Sequence, residues 1–246
     1  MRAGSQRIDP RPMRADDDAV AAALGRAGLY RLLGSALGYP VADRLEEVAR
    51  LSRGAAAAMA PLAEPLIRLA AAAEEADPAT VAQEYVFLFD RQVRCAPYES
   101  AYVEAGGMAG KAAALADIGG FYAAFGLRPA EGQPDMEDHV AAECEFMSAL
   151  AVREAYALAE GHREGLEVTR HAGAAFLTDH LGRWGEAFAD ALRAATPLPY
   201  YAAVADVLAA WVRLEVKALG AEPRLAPGRS GADPIEDDEA FSCPMA

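Results

Sequence analysis

Asp135–Met147, DMEDHVAAECEFM, changes character halfway along. Its first residues are acidic, with Asp135, Glu137 and Asp138 grouped ahead of His139. From Val140 onward, Val140, Cys144, Met147, Ala151 and Ala155 recur at steps of three and four, which puts them on one helical face. Carboxylates favour a helix N-terminus because they oppose the dipole there. A stripe of small and medium apolar residues suits a helix surrounded by other helices. The pattern predicts the longest helix of the chain, from Asp135 to about Gly161, at the centre of an all-α bundle.

The flanking sequence repeats the period. Asp16, Asp17 and Asp18 suit a helix start, Leu24, Ala27, Gly28, Tyr30 and Leu32 follow at helical spacing, and Gly38-Tyr39-Pro40 ends the run. A second helix is expected over 41–54, stopping at Gly54, and a third at Pro61 or Pro65. Asp77-Pro78 is a cap followed by a first-turn proline, opening a fourth whose Val81, Tyr85, Leu88 and Phe89 share a face. Residues 91–107, RQVRCAPYESAYVEAGG, break the period in a loop long enough to suggest function. Helical spacing returns over Met108–Phe125, in a stretch from Leu166 to Leu192 bent near Thr178-Asp179, and between Pro199 and Gly220. About ten helices in a single domain are expected over residues 16–220. Residues 1–15, rich in Arg, Pro and Gly, read as a flexible arm, and 221–246 as an acidic linker and apolar tail tip. The tip, with Phe241, Cys243, Pro244 and Met245, is read either as docking reversibly in the chain's own ligand groove or a neighbour's, or as a disordered end.

Composition narrows the function. The 246 residues are 53% hydrophobic and carry a formal charge of −14, which disfavours nucleic acid and anionic membranes and suits a basic peptide. Cys95, Cys144 and Cys243 lie far apart, without disulfide or zinc spacing. No apolar leader or long apolar run appears, so a cytoplasmic protein without an integral membrane segment is expected. A metal- or nucleotide-dependent enzyme would have to draw on Asp135, Asp138, His139 and Glu143. His171, or His180 with Asp179, falls on another stretch without matching ligands, and neither a nucleophile elbow nor a phosphate loop occurs. The residues themselves therefore point to no catalytic residue, no metal and no cofactor.

Three motifs carry a resemblance. Leu88-Phe89 leads to Pro97-Tyr98-Glu99-Ser100 with Tyr102. Asp138-His139 precedes Glu143-Cys144-Glu145-Phe146-Met147. The stretch Phe176–Phe188 holds Asp179-His180-Leu181 and Trp184, and Tyr200-Tyr201 follows. In order and separation these resemble the TorD/DmsD family of molybdoenzyme maturation chaperones, related to the NarJ branch, over about residues 20–220. Met136-Glu137 and Cys144 depart from the family pattern. The resemblance implies a single TorD-like helical bundle without enzymatic activity. It implies a cytoplasmic chaperone that binds the twin-arginine signal peptide or the apo-form of a molybdenum-cofactor oxidoreductase, assisting cofactor insertion and delaying export. The alternative it leaves is a NarJ-like assembly chaperone for a differently targeted subunit, and it leaves room for a homodimer. On this reading Glu99, Glu137 and Asp138 meet guanidinium groups, and Leu88, Phe89, Tyr98 and Tyr102 accept the apolar segment. Ser100 belongs to the same loop, His139 orients Asp138 or a loop carbonyl, and the groove extends to the face near Tyr85.

Overall fold

The computed structural model describes residues 15–91, 93–103, 108–128 and 137–226. Its helices are α1 (Ala15–Leu37), α2 (Ala42–Ala58), α3 (Ala63–Glu75), α4 (Pro78–Tyr85), α5 (Met108–Ala124), α6 (Val140–Glu160), α7 (Arg163–Asp179), α8 (Leu181–Ala195) and α9 (Pro199–Leu219). Short helical turns precede α3, at Ala60–Leu62, and extend α4, at Val86–Asp90. Among the described residues there is no strand, and no helix is long and apolar enough to cross a membrane. The all-α expectation holds. The proposed arm and tail fall almost wholly on 1–14 and 227–246, outside the described residues.

α6 is the centre, as its apolar stripe requires. Val140, Cys144, Met147, Ala151 and Ala155 are all buried. Its broadest partner is α1, which runs antiparallel: Gly34 lies by Ala141 and Cys144, and the Ser148 hydroxyl donates to the Ala27 carbonyl at 2.9 Å. A Cβ at Gly34 would stand 3.3 Å from the Glu145 side chain and 3.4 Å from the Ala141 carbonyl, so the small residues set how closely these helices approach. The hairpins α2–α3 and α8–α9 close the bundle, and α9 reaches α1, α3 and α7. Phe176, Trp184, Phe188, Tyr200 and Tyr201 fill the space between them.

Several boundaries differ from the expected ones. α6 begins at Val140 rather than Asp135, because His139 is extended and caps it. α2 runs through Gly54 to Ala58: one interior glycine costs only about 1 kcal/mol, and the alanines after it favour helix. The 166–192 stretch is two helices that break at His180 (φ −129°, ψ −107°). Gly182 makes that break possible, since a Cβ there would fall 2.1 Å from the Leu177 carbonyl oxygen. Asp16, Asp17 and Asp18 lie within the first turn of α1.

One ionic cluster ties three central helices together. The Arg26 guanidinium on α1 donates to both oxygens of Glu215 on α9, at 2.9 and 3.0 Å, and to Glu154 on α6 at 2.5 Å. Arg170 of α7 takes the other Glu154 oxygen at 2.7 Å. Burial opposes the Arg26 charge, but the two carboxylates outweigh it and hold the guanidinium above its ordinary value. At Glu215 burial prevails over the Arg26 contacts and raises the carboxyl above 4.5.

Both features set a measurable stability. Gly182→Ala should cost about 2–3 kcal/mol, read as a lower denaturation midpoint at unchanged slope. Arg26→Met leaves buried carboxylates uncompensated and should cost about 3–5 kcal/mol at neutral pH. A carboxyl raised on folding makes the native state bind more protons, so stability falls as pH climbs from 4.5 through the raised value. The Arg26→Met deficit should therefore shrink in acid, and a pH-independent deficit in urea titrations would refute this account.

Candidate functional site

Two extended pieces of chain meet at the N-terminal end of α6. Glu99 N–H donates to the Asp138 carbonyl at 2.9 Å, and Val140 N–H to the Pro97 carbonyl at 2.9 Å, pairing Tyr98 with His139 in an isolated antiparallel bridge. The bridge satisfies backbone groups that burial would otherwise orphan. It also fixes the side chains beside it. His139 Nδ1 accepts the Ala141 N–H at 3.1 Å as the helix cap, and its ring meets Tyr98 edge-on at 5.3 Å. His139 is thus the cap of α6. Asp138 Oδ2 instead accepts the Ser100 N–H at 3.2 Å. The Tyr122 hydroxyl of α5 donates to the Glu137 carbonyl at 2.9 Å and holds the turn from the other side.

The α7–α8 break delivers His180 to the same place. Its Nδ1 lies 3.1 Å from Glu99 Oε2. Its Nε2 is 3.3 Å from Asp117 Oδ2, close enough for an ion pair but misaligned for a hydrogen bond. The ring packs against Phe121 and Phe176, with centroids at 5.5 and 5.0 Å. One turn into α6, Glu143 accepts the Trp184 indole N–H at 3.2 Å, and Trp184 stacks on Tyr102 at 5.4 Å. Glu99, Asp138, Glu143 and His180 are at most 3% exposed. Burial, then the charges of Glu99 and Asp138, hold the Glu143 carboxyl well above the usual carboxylate range, against the opposing Trp184 bond.

A cleft of about 490 Å³ opens over this cluster. Glu99, Asp117, Asp138 and Asp179 supply carboxylates, Arg183 and His180 stand beside them, and Val103, Leu115 and Ile118 form an apolar wall. Asp138 Oδ1 is buried here without a hydrogen-bond partner. A buried, unpartnered carboxylate oxygen on a residue that lines a cleft marks a place for a donor that the protein itself does not provide. Past α9 the chain runs back along this edge: Glu222 N–H donates to Thr178 Oγ1 at 3.2 Å and Ala226 N–H to the Arg183 carbonyl at 2.7 Å. The tail tip, including Cys243, lies beyond the described residues.

Of the residues expected at a peptide site, Glu99, Ser100 and Asp138 line the cleft. Leu88, Phe89 and Tyr102 are core side chains in this conformation, at 0%, 6% and 5% exposure. Tyr98 and Glu137 are half-buried and His139 is buried beside the cleft. Tyr85 packs on Tyr39 and Phe89, and Phe89 and Phe188 separate it from Tyr102, so the groove does not extend to it. Asp117, Asp179, His180 and Arg183 are additions; the Asp179-His180 break was the available signal. Among the described residues no group of His, Cys, Asp and Glu converges to hold a metal, so the metal-dependent alternative gains no site, and Asp135 falls outside them. Burial pushes the Cys95 thiol up to about 12 and raises Cys144 further, leaving neither as a nucleophile.

A model of the nitrate reductase delta subunit family matches residues 49–190, more than half of the 246-residue chain. The chaperone protein TorD of Photobacterium profundum is 29% identical over 130 residues, which cover 53% of this chain and 58% of TorD. The chain thus spans a little over half the length of that relative. A solved protein of Archaeoglobus fulgidus, described as a redox enzyme maturation protein, aligns over 88% of this chain and 99% of its own at 20% identity and a TM-score of 0.48. Glu99, Asp138, Glu143 and His180 all fall within the family match, and the chain belongs to the nitrate reductase delta subunit family, in keeping with the TorD/DmsD/NarJ resemblance of its motifs.

Proposed function

We propose that this chain is a cytoplasmic chaperone that holds an arginine-bearing signal or N-terminal segment of an apo-molybdoenzyme catalytic subunit while its cofactor is inserted. The observation that carries the reading is Asp138, which lines a cleft with the carboxylates of Glu99, Asp117 and Asp179 and whose Oδ1 is buried and unpartnered. A guanidinium is planar, permanently charged and rich in donors, so it matches such a set better than a neutral or anionic group. The apolar wall of Val103, Leu115 and Ile118 suits the hydrophobic run that follows the arginines in a twin-arginine signal peptide. The net charge of −14 adds long-range attraction for a basic segment. Residues 16–220 act as one chaperone domain on this reading.

A second reading has its own support. The matching family is that of the nitrate reductase delta subunit, which favours assembly of a differently targeted oxidoreductase whose N-terminal segment need not be an export signal. Both readings place a cationic segment in the same cleft. Affinity capture of the client from the native host, with its N-terminal sequence determined, separates them.

The site test uses a synthetic peptide with two adjacent arginines ahead of an apolar run. Asp138→Asn keeps an acceptor for the Ser100 N–H but removes the charge, so the fold should survive with its melting temperature nearly unchanged. Loss of a charged hydrogen bond is worth roughly 1.5–3 kcal/mol, and affinity measured by calorimetry should fall about 10- to 150-fold. Equal affinity for the variant and the native protein would move the site elsewhere.

A further inference from the structure

Three carboxylates meet under the cleft, and Glu143 is the one that does not line it. It is fully buried, its Oε2 accepts from Trp184, and its Oε1 has no donor. The groups around it come from every neighbouring element. Glu99 approaches from the 91–103 segment, Asp138 from the turn before α6, Tyr122 from α5, and Cys144 adjoins it on α6. His180, with Asp117 on its outer nitrogen, stands behind Glu99, and Asp179 and Arg183 line the rim. Of these groups, His180 is already engaged by Glu99, and the permanently charged Arg183 stands at the periphery. A proton on Glu143 resolves the conflict: it removes one charge from a fully buried site and lets the carboxyl donate to Glu99, its contact.

We propose that a cationic side chain entering the cleft displaces this proton, so that ligand binding and deprotonation of the Glu99–Glu143 pair are one event. The incoming guanidinium settles on Asp138 Oδ1 and the Glu99 carboxylate. Glu143 releases its proton to the buffer and stays as a carboxylate held by Trp184. Charge is conserved, since one cation enters and one proton leaves. A cation within about 6 Å of a buried carboxyl, at an effective dielectric near 20, weakens its hold on a proton by roughly a hundredfold. The inference rests on the proposed function, because it requires an arginine-bearing ligand. Its consequence is a pH-dependent grip: binding that expels one proton tightens by up to about tenfold for each unit of rising pH.

Calorimetry of the full chain with the diarginine peptide, repeated in buffers of different ionisation enthalpy, counts the protons released. Up to one proton per peptide is expected, with affinity rising with pH. Glu143→Gln keeps an acceptor for Trp184 and a donor toward Glu99, and should bind with no release and no pH dependence. The same peptide with citrulline for arginine should release nothing. In the unliganded protein, infrared spectroscopy should show the carbonyl band of a protonated buried carboxyl, lost in Glu143→Gln. Binding whose enthalpy ignores the buffer, or a missing carbonyl band, overturns the displacement alone. Failure of the peptide to bind at all removes the displacement and the proposed function together.

Discussion

Withdrawing carboxylates from water is costly, and this fold does it twice. At one end of the bundle Glu154 and Glu215 are matched by Arg26 and Arg170, so the charges cancel and the helices are tied. At the other end Glu99, Asp138 and Glu143 meet one histidine and a row of hydrogen-bond donors. The first cluster is complete in itself. The second carries an excess of negative charge that backbone amides and an indole only partly offset, and Asp138 Oδ1 is left without a partner beneath a cleft. Such a deficit lowers stability, and a fold retains it where an outside partner supplies the missing donor.

The surrounding architecture serves that end of α6. The Tyr98–His139 bridge joins segments about forty residues apart, and without it neither Glu99 nor Asp138 would face the cleft. His180 arrives because α7 and α8 are not one helix, which in turn depends on the absence of a side chain at Gly182. The aromatic layer of Phe121, Phe146, Phe176, Trp184 and Tyr102 surrounds the polar groups and keeps the local dielectric low. A weak field of exposed charges becomes, in that setting, a strong one.

Helical periodicity made most of the fold legible, because each buried face repeats at three and four residues and prolines and glycines punctuate it. The buried stripe of α6 was readable residue by residue. What periodicity could not reveal was direction beyond the helix. Leu88, Phe89 and Tyr102 read as a ligand-facing apolar surface, yet the same chemistry serves a core, and only the packing of Phe188, Trp184 and Tyr201 around them decides between the two. Asp138 and Glu99 were legible as charges next to a helix start and a loop. Their partners were not, since Ser100, Asp117 and His180 are brought to them by tertiary contacts across 38 and 81 residues, as in the Asp138–Ser100 and Glu99–His180 pairs. His180 itself lay in a motif already noted, but its side chain acquires a role only from the break in the helix.

α5 covers one side of the acid cluster through a few aromatic contacts. Among the described residues it shares no broad face with another helix; it contains Gly110, Gly119 and Gly120, and Ile118, Phe121 and Tyr122 anchor it. Each glycine weakens the helix by about 1 kcal/mol relative to alanine. Local unfolding draws on the segments with the fewest buried contacts. The amides of α5 should therefore exchange with solvent deuterium through openings that leave α1, α6 and α9 protected, and the fully buried Glu143 would meet water at the rate of those openings rather than at the rate of global unfolding.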